Sequence, residues 1–149
     1  MLKRSCLIAV LATLLAAAAS AGTVTVTGIG PRVGFSASPD QIVFGGHLVV
    51  GEVAPKVTFD PSLEIGLGDH QQVVAVNFDL HYDFDVSGTD WKPYAGAGIG
   101  LAFVGYDRQP PLKDQSDTFA GGNLVIGAGI PTHSRNRFFT EMRFGLGDI

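Results

Sequence analysis

The chain has one cysteine in 149 residues, Cys6, and none after it. A disulfide framework is therefore excluded, and with it the small cysteine-rich secreted scaffolds. Basic charge is also scarce: 10 Lys and Arg stand against 14 Asp and Glu. That balance lacks the positive footprint nucleic-acid binding requires. Beyond the N-terminal segment no apolar run approaches the length of a membrane helix, and no segment carries the helical period of 3.6. What remains is all-β, held by its backbone network and its packing.

The N-terminal segment stands apart. Met1–Ser5 carries Lys3 and Arg4, CLIAVLATLLAAAA is apolar, and Ala19-Ser20-Ala21 has the small-x-small pattern of a cleavage site. The segment 1–21 is expected to be a secretory signal peptide, leaving residues 22–149 as one β-barrel domain. Without Lys3 and Arg4 the counts become 8 basic and 14 acidic, a net charge near −6. The plain account of this acidity is solubility and hydrated loops.

After a TVTVTGIG lead-in, period two dominates. RVGFSAS, QIVFGGHLVVG, VTFDPSLEIGLG, VAVNFDLHYDF, YAGAGIGLAFVGY, TFAGGNLVIGAGI and RFFTEMRFGLG read as seven strands. Turn signals separate them: Pro39-Asp40, Ala54-Pro55, Gly68-Asp69, VSGTDWK, DRQPPLKDQSD and PTHSRN. Pro61 falls inside the third strand, where its missing N–H predicts a local irregularity. Many of the 20 glycines lie inside strands. Glycine weakens a strand interior, so these should mark close packing or bends.

The fourth strand poses the functional question. Val74, Val76, Phe78, Leu80, Tyr82 and Phe84 share one face; Ala75, Asn77, Asp79, His81 and Asp83 share the other. In a soluble sheet the polar face meets water, whereas in a membrane barrel the apolar face meets lipid. Three features favour lipid. The chain carries an export signal, and several strands reach about ten residues, enough for a tilted membrane strand. Aromatics gather at strand ends (Tyr82, Phe84, Trp91, Tyr94, Phe103, Tyr106), as interfacial girdles do. The polar parity mixes small residues with charges of both signs, as a filled interior needs. Its expected network is Arg32, Glu64, Asn77, Asp79, His81, Asp83, Arg137, Glu141 and Arg143. The competing account is that these residues face water, as most charged residues do.

Three stretches carry a resemblance: WKPYAGAGIGLAF, FAGGNLVIGAGI and RFFTEMRFGLGD. In order and spacing they are similar to the small outer-membrane β-barrel proteins of the OmpX, OmpA-domain and opacity-protein type. The resemblance implies an antiparallel up-and-down transmembrane β-barrel of eight strands in the Gram-negative cell envelope. It implies short periplasmic turns and longer outer loops. It further implies contact with outer-membrane lipid, with periplasmic chaperones and barrel-assembly machinery during biogenesis, and a structural or surface-interaction role without catalysis. VAPK, DVSGTDW and PTHSRN would then be periplasmic; SPDQ, GDHQQ and DRQPPLKDQSD would lie outside. One departure matters, because the family ends in an alternating strand with a terminal aromatic and this sequence ends in GLGDI. Either a closing strand is missing, or TVTVTGIG bends at Gly28–Pro31 and supplies an eighth strand.

Sites of chemistry are sparse. GAGIG at 96–100 has the glycines of a phosphate loop but lacks the strand-then-helix setting that motif requires. His47, His70, His81 and His133 show no metal-ligand spacing, so no metal and no cofactor is expected. Asp107, Asp114 and Asp117 form an acidic loop, by default solvated. A lipid-modifying Ser-His-acid site has no obvious pair along a strand for Ser36 or Ser62, although cross-strand pairing stays open. A soluble periplasmic barrel holding a small apolar ligand is the remaining alternative.

Overall fold

The computed structural model describes residues 25–69, 71–106, 115–132 and 137–147. The expected signal segment, His70, Asp107, Asp114 and His133 lie outside them. Among the described residues there are seven strands. They are β1 (Val26–Ala37), β2 (Asp40–Ala54), β3 (Val57–Gly68), β4 (Gln71–Asp83), β5 (Lys92–Tyr106), β6 (Gln115–Pro131) and β7 (Arg137–Leu146). They form one antiparallel sheet in the order β1-β2-β3-β4-β5-β6-β7. Each strand pairs with its sequence neighbour, as hairpin connections favour.

The sheet curls into a half-barrel. Side chains from β1, β3, β4 and β7 meet on one face, although β7 is three strands from β4 and six from β1 in the sheet. Only a curved sheet can bring them together. The ladders also stagger. Following the paired positions from Arg32 through Gly45, Glu64, Ala75 and Ala102 leads to Phe119 on β6. Glu141 of β7, which Arg32 touches, pairs instead with Gly127. That offset of eight residues along β6 is the stagger expected of strands tilted around a barrel.

The two faces have opposite chemistry. The convex face carries Ile29, Val33, Phe35, Phe44, Ile65, Leu80, Ile99, Leu101, Leu124, Ile126, Met142 and Phe144, all exposed. The concave face buries Asp60, Ser62, Asn77, Asp79, His81 and Asn123. The alternation that makes each strand two-faced is thus turned inside out relative to a water-soluble sheet. Towards the ends of the strands where β1 turns into β2, Val43, Val73, Ala102 and Val104 occupy neighbouring positions beside the buried Gln41.

Several local expectations can be placed. Pro61 keeps its position in the ladder to β4, opposite Phe78. In the ladder to β2 the paired positions are His47↔Ser62 and Val50↔Phe59, and Pro61 has no partner. The irregularity lies on the side a proline cannot serve. Val26–Gly30, in contrast, runs straight on through Pro31 to Ala37, with one register shift between Val26 and Gly28. It therefore does not supply a separate eighth strand: its ladder to β2 continues through Gly28–Pro31 instead of bending away. In the β2–β3 turn Pro55 precedes Lys56, whose φ of 63° is the positive value the third position of a Pro-led tight turn can require.

A polar cluster in the concave face as candidate functional site

Two guanidinium groups and three carboxylates form the centre of the interior. Arg32 of β1 places Nε 3.2 Å from Oε1 of Glu64 on β3, and its Nη2 donates to Oε1 of Glu141 on β7. Arg143 of β7 donates through Nη1 to Glu64 Oε1 at 2.8 Å and through Nη2 to Asp79 Oδ2 at 2.6 Å. Its Nη2 also lies 3.5 Å from Glu141 Oε1. The Tyr94 hydroxyl donates to Glu141 Oε2 at 2.8 Å. Asp79 is fully buried, at 0% exposure, which a carboxylate tolerates only when a cation and hydrogen bonds replace its water.

A second group adjoins the first. Asp60 and Asp79 sit directly opposite each other on β3 and β4. Arg143 serves Asp79, whereas Asp60 accepts from the Thr58 hydroxyl at 3.1 Å. His81 Nδ1 lies 3.5 Å and His47 Nδ1 3.7 Å from the Asp60 carboxylate. Aromatic rings complete this layer. His81 stacks on Tyr94 with centroids 4.7 Å apart, His47 lies 4.8 Å from Phe139, and the Arg32 guanidinium stands 5.3 Å over the Phe139 ring. Asn77 donates to Ser62 Oγ at 3.3 Å.

Glycines make this density possible. A Cβ at Gly127 would meet the Tyr94 hydroxyl at 2.5 Å and the Thr140 carbonyl at 2.7 Å. One at Gly98 would overlap the Asp79 carboxylate and lie 2.9 Å from Asn123 Oδ1. Large polar groups on one strand therefore stand over glycines on the next, which is the close packing the glycine-rich strands predict.

Of the nine residues expected in the network, five are ion-paired together: Arg32, Glu64, Asp79, Glu141 and Arg143. Asn77 and His81 are buried beside them and bonded to, or facing, Ser62 and Asp60. Asp83 and Arg137 are not part of the ion-paired set. Asp83 pairs with Tyr94 one step beyond His81, near the β4–β5 connection, and Arg137 pairs with Pro131 at the start of β7. Tyr94 corrects the girdle reading: it points inward to Glu141, not outward with Tyr82, Phe84 and Trp91.

The expected network omitted Asp60, Tyr94, His47 and Phe139. Parity on their strands was the available signal, since each shares the inward alternation of its strand.

Among the described residues no serine–histidine pair forms in the interior. Neither His47 nor His81 hydrogen-bonds a serine; Ser62 is held by Asn77 and reaches Glu64 at 3.5 Å. Although His47 lies directly across the ladder from Ser62, its Nδ1 faces Asp60. Among the described residues no three His, Cys, Asp or Glu side chains are arranged to hold a metal ion. The groove on the convex face, lined by Phe78, Ile99, Leu101 and Ala120, is apolar. GAGIG lies within β5, so no helix N-terminus follows it to bind phosphate.

Comparison with protein-family models, with curated proteins and with solved structures found no match.

Proposed function

We propose that this chain is a small outer-membrane β-barrel protein of the OmpX, OmpA-domain and opacity-protein type. Its role is envelope-structural or surface-interacting, without catalysis. The observation that carries the reading is the inversion of the two faces. Ile29 is 82% exposed, Val33 78% and Phe35 70%, while Asp79 is 0% and Asn123 2% exposed. In water such an arrangement exposes apolar area of the kind soluble monomers avoid and buries groups that cost free energy to dehydrate. In a bilayer the same arrangement is the favourable one.

Chain lengths agree with this reading. Strands of 10 to 17 residues are long enough to cross a hydrocarbon core when tilted. Trp91, Phe84, Tyr82 and Val53 are exposed around the β2–β3 and β4–β5 connections, where an interfacial belt would lie. The interior is filled by ion pairs and rings, so an open pore is not part of the proposal. The same filling opposes a soluble barrel for a small apolar ligand, because the space such a ligand needs is lined by Arg32, Glu64, Asp79 and Arg143.

Urea extraction and gel migration test the proposal. The protein should stay with the membrane pellet in urea and migrate differently in unheated and heated detergent samples. Release into the soluble fraction with no heat-dependent shift would overturn it.

A further inference from the structure

Three successive inward positions of β5 carry no side chain. Gly96, Gly98 and Gly100 stand opposite His81, Asp79 and Asn77 of β4. On the other side of β5, Asn123 of β6 stands opposite Gly98. Asp79 and Asn123 are therefore not ladder partners; they face each other across a bare glycine. Both are enclosed, Asp79 at 0% and Asn123 at 2% exposure. The three strands are each paired on both sides, so this place lies inside the sheet and away from its edges.

Their unpartnered atoms converge on that glycine. Asp79 Oδ1, Asn123 Oδ1 and Asn123 Nδ2 are buried without a hydrogen-bond partner among the described residues. The point where a Gly98 Cβ would stand lies against Asp79 Oδ1 and the Phe78 carbonyl, and 2.9 Å from Asn123 Oδ1. Two acceptors turned towards one point cannot satisfy each other, and burial makes each costly to leave unmet. Arg143 already supplies the cation, 2.6 Å from the other oxygen of Asp79, so what Oδ1 and the amide need is a neutral donor.

We infer that Asp79, Asn123 and the bare Gly98 form a binding site for one internal water molecule. The Cβ point marks the direction in which the groups meet; the water stands farther from the Gly98 Cα, at hydrogen-bonding distance from Asp79 Oδ1 and the amide. It donates to both oxygens. With the amide turned over, it donates to Asp79 and accepts from Nδ2. The Phe78 carbonyl is a third polar neighbour, and buried waters are held by about two to four such partners. The water joins β4 to β6 over the strand between them, which a side chain at position 98 would prevent. One enclosed water adds a hydrogen bond and does not screen charge as bulk solvent would, so Asp79 still needs Arg143. The site belongs to the interior alone and holds whichever medium meets the convex face.

The Gly98 α-proton that takes the place of a Cβ points into the site and does not exchange with solvent, so it can report on the water. In the full chain, isotope-labelled and folded in detergent micelles, a water-selective NOE experiment should show a cross-peak between water and that proton. Its sign should be that of a long-lived water. Asn123→Leu removes the amide at similar volume and should lose the cross-peak. Ser62→Ala should keep it, which excludes relay through that exchanging hydroxyl. Three results would each overturn the inference. One is no cross-peak at Gly98 in the folded wild-type chain, which leaves Asn123 bonded to Asp79 directly. Another is a cross-peak undiminished in Asn123→Leu, which puts the water elsewhere. The third is a movement of the Gly98 signals when sodium replaces choline at fixed ionic strength, which makes the ligand a cation. Should Asn123→Leu fail to fold, the wild-type spectrum and the ion exchange decide.

Discussion

The convex and concave faces are built from the same strands by the same alternation, yet they obey different rules. On the convex face the requirement is only apolarity: Ile99, Leu101, Phe103, Leu124 and Ile126 are exposed, and no two of them need a particular geometry. On the concave face identity and geometry both matter. Arg143 must reach Glu64 and Asp79 with one guanidinium, and Tyr94 must find Glu141 above a glycine. A lipid-facing surface is specified by composition; a filled polar interior is specified by partners. Substitutions should therefore separate the two faces sharply.

The largest effect is expected at Arg143. Arg143→Met removes the cation shared by Glu64 and Asp79; Glu64 keeps Arg32, but the buried Asp79 carboxylate is left without a cation, at a cost of about 3–5 kcal/mol. Urea unfolding of the protein in lipid vesicles or detergent should show this loss, or show no folded protein at all. A variant of near-parental stability would mean that water reaches Asp79.

Next comes the convex face. Ile99 is 66% exposed and touches little, so in a water-soluble protein Ile99→Arg should be almost neutral. Facing the middle of a bilayer it should cost about 2–4 kcal/mol, measured by the same unfolding experiment in vesicles. Comparing Ile99→Arg with Ile99→Ala in one titration isolates the charge from the lost side chain.

Gly127→Ala should cost about 1–3 kcal/mol, because its Cβ collides with Tyr94 and the Thr140 carbonyl. Tyr94→Phe removes only the bond to Glu141 and should cost about 1–2 kcal/mol, so the paired variant Gly127→Ala with Tyr94→Phe should be non-additive.

The smallest effect belongs outside both faces. Lys56 Nζ lies 2.8 Å from Asp85, tying the β2–β3 turn to the β4–β5 connection in open solvent. The hydrogen bond from Lys56 holds the Asp85 carboxyl below its usual range, and the same bond to Asp85 raises the lysine. A depressed carboxyl contributes above its unfolded pKa of about 3.9 and is lost as pH falls through the lower folded value. A raised lysine contributes below about 10.4 and is lost as pH rises through the higher folded value. The pair is thus intact between those limits, and Lys56→Ala should change stability barely at pH 7 and only at low salt.

Much of the fold is legible from alternation alone. The segment VTFDPSLEIGLG coincides with β3, and three other expected segments fall inside observed strands, while RVGFSAS, VAVNFDLHYDF and RFFTEMRFGLG each overrun their strand by one residue, Ser38, Phe84 and Gly147. Period two is strong because each strand separates two very different environments. Boundaries at β1 and β6 were harder: Val26–Gly30 lacks contrast between its faces, and Gln115–Asp117 reads as loop composition although it extends β6. Parity also placed Asp79 and Arg143 on one face. It could not say which charges meet, because that depends on stagger. Arg32 touches Glu141 only after the register has slipped eight residues around the sheet, a quantity no single strand encodes. Asp83 and Arg137 share the inward parity and yet stand outside the ion-paired set, because they lie at the end of β4 and the start of β7. The place of Tyr94 at a strand start suggests an interface, but Gly127 opposite it leaves room for the ring inside.

The central claim is that the convex face meets lipid. An environment-sensitive fluorophore attached at Ile99→Cys, in the Cys6→Ser chain folded into vesicles, tests it most directly. Lipids brominated along the acyl chain should quench it strongly, and aqueous iodide should not. Quenching by iodide with no effect of the brominated lipids would place Ile99 in water and contradict the account.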